Sequence, residues 1–198
     1  MVKLRATRKP SKGNTVAGTH DNCDECPDCP DLLLLRCAAA DKRIAIAFYL
    51  EAARTTCMPQ LFLGVAEDEM RHYVEIMREI SRLDPVQAEK LRNADLGMLL
   101  MTRPMVKPKT KAAIVKEVET ADAPIVLPDR EDMPTVHILT KALAGEFEAT
   151  NKYQRFMNEA ETREVKRLFC KLMNDEKEHI AQFTAALFEL THEPLPPE

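Results

Sequence analysis

One five-residue pattern occurs twice in this chain, as Asp68-Glu69-Met70-Arg71-His72 and as Asp175-Glu176-Lys177-Glu178-His179. In each copy the glutamate and the histidine are three residues apart, so both side chains project from the same face of a helix. That face is otherwise apolar, and carboxylates and imidazoles are costly to bury unless cations compensate them. The repeated pattern therefore predicts two related helices whose acid and imidazole side chains meet inside a helical bundle and bind divalent metal.

Helical periodicity extends well beyond the two motifs. Apolar residues recur at intervals of three and four over residues 31–55, 62–83, 134–160 and 163–190, which predicts four long helices. The first two helices are separated by a short turn, and so are the last two. Each pair is therefore predicted to form a helical hairpin.

The two predicted hairpins are joined by a long crossover over residues 85–134, with a short helix at 86–101. Two hairpins joined in this way describe an all-α, ferritin-like four-helix bundle, here over residues 31–192. Residues 1–30 lack periodicity and are predicted to be a mobile N-terminal tail. Residues 193–198 are predicted to be a short C-terminal tail that prolines separate from the last helix.

Composition excludes several classes of protein. Only 5 Gly among 198 residues, with 10 Met and no Trp, favours helices over an all-β fold. The 28 basic and 32 acidic residues give a net charge of -4. The chain therefore lacks the excess of positive charge that is typical of proteins that bind nucleic acid or an anionic membrane. The most apolar stretch, Leu32–Leu50, contains charged residues, and the first twenty residues lack the apolar segment of a signal peptide. We therefore expect a cytoplasmic protein without a membrane span, whose six cysteines are thiols or metal ligands.

Three of the cysteines form a compact group in the N-terminal tail. The pattern Cys23-x-x-Cys26-x-x-Cys29 brings three thiols within seven residues, and Cys37 is a candidate fourth ligand. Such a set is close enough to bind one Zn²⁺ or an iron–sulfur cluster. The alternative is a solvated, redox-sensitive segment, because acidic residues are interleaved with the cysteines.

The third predicted helix offers two carboxylates, Glu146 and Glu148. Glu146 shares an apolar stripe with Leu139 and Tyr153, whereas Glu148 lies beside lysine and arginine side chains. Glu146 is therefore predicted to point inward. Glu-x-x-His from two helices together with a Glu from each of the other two is the ligand set of di-iron carboxylate bundles.

A family resemblance rests on these same residues. The stretch Gly145-Glu146-x-x-Ala149-x-x-x-Tyr153, followed by Glu176-x-x-His179, resembles the first helical hairpin of rubrerythrins and related ferritin-like proteins. The resemblance covers about residues 137–190 and, less closely, residues 32–83. It implies a di-iron site, with iron or another divalent metal bound by five ligands: Glu69, His72, Glu146, Glu176 and His179. Rubrerythrins also carry an iron site with four cysteines in two CxxC pairs, and this chain has no second pair.

The sixth ligand does not carry over from the resemblance. In similar helices a Glu precedes a Tyr by seven residues, and the position seven residues before Tyr49 is Lys42. Asp41 and Glu51 are then the candidates for the sixth ligand. Alternatively, Lys42 enters the core and neutralises the carboxylates itself, which leaves a mononuclear or an empty site.

The resemblance implies a non-haem di-iron protein that reacts with peroxide or dioxygen, as a peroxidase or a ferroxidase-like oxidoreductase. Tyr153 could then hydrogen-bond a ligand or act as a redox-active phenol, or it could simply be a packed core tyrosine. One alternative is iron binding or sequestration without turnover. Another is a metal-free helical interaction protein with an ionic cluster around Lys42. The electron donor is unknown, and association into a homodimer is expected by analogy with other ferritin-like bundles.

Overall fold

The computed structural model describes residues 29–97 and 125–192. This part of the chain forms five α-helices, namely α1 (Pro30–Thr55), α2 (Pro59–Leu83), α3 (Pro85–Asn93), α4 (Met133–Glu159) and α5 (Arg163–Thr191). Its one β feature is an isolated bridge between Ile125 and His192. The predicted all-α, ferritin-like bundle is confirmed. None of the described helices is long and apolar enough to cross a membrane.

The helices pack as two hairpins, with α1 against α2 and α4 against α5. Backbones of different hairpins approach each other at far fewer points, mainly between α2 and α5. The two hairpins are therefore joined chiefly by the side chains that fill the space between them.

Local sequence signals account for where the helices begin. A proline stands in the first turn of α1, α2, α3 and α4. At this position a backbone N–H has no partner within the helix, so the N–H that proline lacks costs no hydrogen bond. The side chain of Asp84 caps α3 by accepting a hydrogen bond of 3.0 Å from the backbone N–H of Gln87. Thr162 caps α5 by accepting from the backbone N–H of Val165.

Buried Asp31 connects the two hairpins at one end of the bundle. Its two carboxylate oxygens accept hydrogen bonds from the backbone N–H groups of Glu161, at 2.7 Å, and Thr162, at 3.0 Å. These N–H groups belong to the turn between α4 and α5, so Asp31 at the start of α1 is a long-range cap of the other hairpin.

The core has two apolar clusters with a charged layer between them. One cluster contains Leu35, Ile76 and Phe169, and the other contains Phe62 and Phe183. The six buried ionisable residues of the layer lie on four helices and are Lys42, Glu69, His72, Glu146, Glu176 and His179. Apolar packing on both sides keeps the side chains of this layer buried.

The crossover differs from the expectation in one element. The short helix predicted at residues 86–101 begins at Pro85 and ends at Asn93. The backbone turns at Asp95, which has φ 56° and so a conformation that a helix does not continue through. Most of the predicted crossover, and almost all of the two predicted tails, lie outside the described residues.

Candidate metal centre

The structure brings all five predicted ligands into one cluster. Glu69 and His72 come from α2, Glu146 comes from α4, and Glu176 and His179 come from α5. Each of the five is at most 2% exposed. The three-residue spacing within each Glu-x-x-His pair turns both side chains inward, as the sequence predicts.

Four of these residues converge on one position. Glu69, Glu146, Glu176 and His179 each offer one ligand atom, and these atoms lie within 4.8 Å of one another. The Nδ1 atom of His179 lies 3.2 Å from Glu176 Oε2, 3.6 Å from Glu146 Oε1 and 3.8 Å from Glu69 Oε1. Three carboxylates and one imidazole could hold a metal ion in this arrangement.

Lys42 lies in the same cluster and is 2% exposed. Its Nζ atom is 2.5 Å from Glu69 Oε2 and 2.7 Å from Glu176 Oε1. Burial by itself would lower the pKa of Lys42, but Tyr153 and the two carboxylates hold it well above its usual value. The side chain is therefore an ammonium group, and the interpretation in which Lys42 enters the core is the one that the structure adopts.

His72 faces the Lys42 side of the cluster. Its Nδ1 atom lies 3.5 Å from Glu176 Oε1 and 3.6 Å from Glu69 Oε2. This nitrogen is buried and has no hydrogen-bond partner within the described ranges. His72 therefore points its unpaired nitrogen at the same two glutamates that pair with Lys42.

The aspartates of the two motifs hold each other's histidines, a relationship that sequence reasoning missed. Nε2 of His72 lies 3.1 Å from Asp175 Oδ2, and Nε2 of His179 lies 3.4 Å from Asp68 Oδ2. Such carboxylates fix the orientation of the ring and leave the opposite nitrogen free for a metal. The sequence feature that could have indicated these contacts is the aspartate that precedes each Glu-x-x-His.

Burial and mutual contacts shift the pKa values of the ionisable groups in this cluster. Burial, reinforced by Glu176, raises the pKa of Glu146 to about 7. Burial would also raise the pKa of Glu176, but hydrogen bonding from His179 and the charge of Lys42 hold it well below its ordinary value. Hydrogen bonds that the imidazoles donate to neighbouring carboxylates raise the pKa of both histidines despite their burial. A metal bound at His179 must therefore displace a proton.

Two tyrosines border the cluster. The hydroxyl of Tyr49, which sequence reasoning passed over as a site residue, donates a short hydrogen bond to Glu146 Oε1. Tyr153 is 1% exposed, its ring stacks on Phe169 at 5.8 Å, and Lys42 Nζ lies 5.3 Å from the ring centroid. Burial raises the pKa of both phenols, so both stay protonated. Tyr153 thus packs in the core and also borders the charged layer.

The two candidates for the sixth ligand are not in the cluster, so this expectation was wrong. Asp41 is partly exposed and accepts a hydrogen bond of 2.9 Å from Lys152. It precedes Lys42 by one residue, which turns it about 100° round the helix. The side chain of Glu51 is 65% exposed and pairs with Arg54. Because Glu51 follows Lys42 by nine residues, or about two and a half turns, it lies on the opposite face.

Half of the predicted cysteine site falls outside the described residues, namely Cys23 and Cys26. Cys29 is partly buried next to α1, and Cys37 is exposed on α1. Cys29 and Cys37 are free thiols. Zinc or an iron–sulfur cluster at these four cysteines stays a prediction.

A cavity of about 390 Å³ between α1 and α4 leads to the cluster. Its lining includes Lys42, Tyr49 and Glu146, and nearer the surface it contains both apolar and charged side chains. Gly145 lines it as well, and a Cβ atom added there would meet no atom within 4 Å. The absence of a side chain at this position keeps the cavity wide.

The rubrerythrin family model matches residues 137–195, which cover most of α4 and all of α5. The second helical hairpin is rubrerythrin-like. The matched segment contains Glu146, Glu176 and His179, the residues on which the resemblance was based, and that resemblance is confirmed there. Neither a curated protein nor a solved structure matches the chain. The rubrerythrin-like hairpin and the buried Glu/His group together support a metal-binding protein related to the di-iron carboxylate proteins.

Proposed function

We propose that this protein is a non-haem iron protein of rubrerythrin type that reacts with hydrogen peroxide or dioxygen at the buried cluster. The proposal is supported above all by the convergence of donor atoms from Glu69, Glu146, Glu176 and His179 within 4.8 Å. Carboxylate and imidazole ligands suit Fe(II), although they also bind other divalent metals. The family match over the second hairpin favours iron among these metals.

Each of the four residues has a defined task in this proposal. Glu69, Glu146 and Glu176 supply carboxylate oxygens, and His179 supplies Nδ1. Asp68 accepts from Nε2 of His179 and so keeps the ring turned with Nδ1 toward the carboxylates. Iron bound there would pass electrons from an external reductant to the oxidant. The apolar clusters on both sides keep these donors buried.

Reduction of one hydrogen peroxide molecule to two water molecules takes two electrons and two protons. Glu146 lines the cavity and supplies its ligand oxygen on the side from which the oxidant arrives. The hydroxyl of Tyr49 donates to the same carboxylate and keeps it oriented. The electrons come from an external reductant in this scheme.

The cavity between α1 and α4 gives the oxidant a route to the cluster. It is lined by Glu69, Glu146 and Lys42 at its inner end, and Ile44 on its outer wall is 70% exposed. Peroxide and dioxygen are far smaller than a cavity of this volume. Access therefore requires no opening of the helical bundle.

Reconstitution separates peroxidase work from iron sequestration. The full chain is loaded anaerobically with Fe(II), then given hydrogen peroxide with ascorbate as reductant, and peroxide consumption is followed with a peroxide-sensitive electrode. Repeated turnover supports the proposed peroxidase. A single stoichiometric oxidation instead indicates iron binding without turnover. Glu178→Gln, on the exposed side of α5, is the control variant and should behave like the wild type.

One observation favours a second candidate, a metal-free helical interaction protein. Lys42 already neutralises part of the buried negative charge through its ion pairs with Glu69 and Glu176. Metal content below about half an equivalent, with a melting temperature unchanged by chelation, would support this candidate. Association into a homodimer and a cytoplasmic location stay predictions, and the electron donor is unknown.

A further inference from the structure

The first helix of each hairpin presents one charged residue to the cluster at an equivalent position. Glu146 on α4 precedes Tyr153 by seven residues, and Lys42 on α1 precedes Tyr49 by seven. The second helices are likewise equivalent, since each carries one Asp-Glu-x-x-His motif. Lys42 is therefore the counterpart of Glu146 in the other hairpin, and a cation stands where the repeat has a carboxylate.

Each glutamate of the two motifs divides its oxygens between two halves of the cluster. Oε1 of Glu69 and Oε2 of Glu176 lie 3.8 Å and 3.2 Å from Nδ1 of His179. The other oxygens, Oε2 of Glu69 and Oε1 of Glu176, lie 3.6 Å and 3.5 Å from Nδ1 of His72. The geometry thus contains two half-sites, one at His179 with Glu146 and one at His72 with Lys42.

The half-site at His72 already contains a cation. Nζ of Lys42 lies 2.5 Å from Glu69 Oε2 and 2.7 Å from Glu176 Oε1, the same two oxygens that face His72. A metal ion bound to this pair of oxygens would have to share their space with the ammonium group. The residues present therefore fit one metal ion at His179 and do not fit a second one at His72.

We infer that the ammonium group of Lys42 takes the place of a second metal ion, so that the cluster binds one divalent cation where a di-iron site would bind two. This inference rests on the proposed function, because it describes the same cluster. Charge balance agrees with it: three carboxylates carry three negative charges, which Lys42 and one divalent cation neutralise. A second divalent cation would leave two positive charges in excess among side chains that are almost fully buried.

Metal stoichiometry tests the inference without reference to activity. The full chain is loaded anaerobically with Fe(II), passed through a desalting column and analysed by plasma mass spectrometry, and the expected content is one equivalent. Two equivalents in the wild type would overturn the inference and leave the proposed function standing. No bound metal would overturn both, so the two failures are distinguishable.

Charge reversal at the key position provides the matched comparison. Lys42→Glu supplies the carboxylate that the repeat predicts and should raise the metal content from one equivalent to two. Arg167→Glu makes the same charge change on an exposed residue of α5 that does not line the cavity, and it should leave the metal content at one equivalent. A folded Lys42→Glu protein that still binds a single equivalent would contradict the inference, with folding checked by circular dichroism.

The histidines give a second comparison that does not depend on the folding of Lys42→Glu. His179→Ala removes a ligand of the occupied half-site and should abolish metal binding. His72→Ala removes the corresponding residue of the half-site filled by Lys42 and should keep most of the metal. Equal loss of metal in the two variants would overturn the inference.

Discussion

Nζ of Lys42 on α1 donates a hydrogen bond of 2.7 Å to Oε1 of Glu176 on α5, across 134 positions of the chain. Both groups are almost fully buried, and they belong to different hairpins. A buried ammonium group with two carboxylate partners makes the charged layer a structural element of the bundle as well as a candidate metal centre.

Removal of the ammonium group should destabilise the metal-free protein. Lys42→Met leaves Glu69 and Glu176 buried without their cation, and loss of one partner from a buried ion pair costs about 3–5 kcal/mol. Urea unfolding in the presence of a chelator measures this free energy. Arg167→Met, on the exposed surface of α5, should change it by less than about 0.5 kcal/mol. Equal stability of the two variants would contradict the assigned role of Lys42.

The aspartate that holds His179 should affect metal affinity. Asp68→Asn weakens the acceptor at Nε2, and loss of such a partner typically lowers metal affinity by about 10- to 100-fold. If only the half-site at His179 binds metal, Asp175→Asn, which acts on His72, should have the smaller effect. Competition titration with a coloured chelator measures both affinities. A larger effect from Asp175→Asn would argue that the metal binds at His72.

The long-range cap at Asp31 should make stability depend on pH. Burial would raise the pKa of Asp31, but hydrogen bonds from the Thr162 side chain and from the backbone N–H groups of Glu161 and Thr162 lower it overall. A carboxyl group whose pKa is lower in the folded state stabilises the protein fully above its unfolded pKa of about 3.9. That contribution disappears as the pH falls through the folded pKa.

Asp31→Asn should therefore be about 1–2 kcal/mol less stable than the wild type at neutral pH, because a charge-assisted hydrogen bond is lost. The difference should shrink as the pH is lowered below about 4, since the wild-type carboxyl then becomes protonated too. Urea unfolding at a series of pH values measures this difference in the free energy of unfolding. Exposed Asp129→Asn is the control. A difference that stays constant down to about pH 2 would contradict the assignment.

The cavity can be narrowed without altering any donor atom. Gly145→Leu places a side chain in open space at the cavity wall, and it should slow the oxidation of bound Fe(II) by peroxide several-fold while leaving metal content unchanged. Gly64→Leu is a matched control, because Gly64 also lies within a helix with open space around it but away from the cavity. Stopped-flow absorbance compares the rates. Equal rates in the two variants would mean that the oxidant reaches the cluster by another route.

Periodicity and spacing predicted most of this molecule. Four long helices, their pairing into hairpins and the inward orientation of both Glu-x-x-His pairs follow from local geometry, because helical residues three or four positions apart share a face. Glu146 was also placed correctly from its apolar stripe. These features depend only on the helix to which each residue belongs.

Other features required knowledge of how the helices face each other. Asp41 and Glu51 were expected to reach the cluster, but rotation about α1 turns both away and brings in Lys42 instead. The contacts of Asp68 with His179 and of Asp175 with His72 cross between α2 and α5. No spacing within one helix encodes such a contact.

By itself, the sequence determined the helices, their amphipathic faces and the repeated acid and imidazole pairs, because these properties arise from hydrogen bonding and periodicity within single segments. Only the tertiary structure decided what compensates the buried carboxylates. The answer depends on which side chain of α1 projects between α2 and α5, and that is determined by packing among helices distant in the chain. The side chain of α1 that projects there is Lys42, and its ammonium group lies between Glu69 and Glu176.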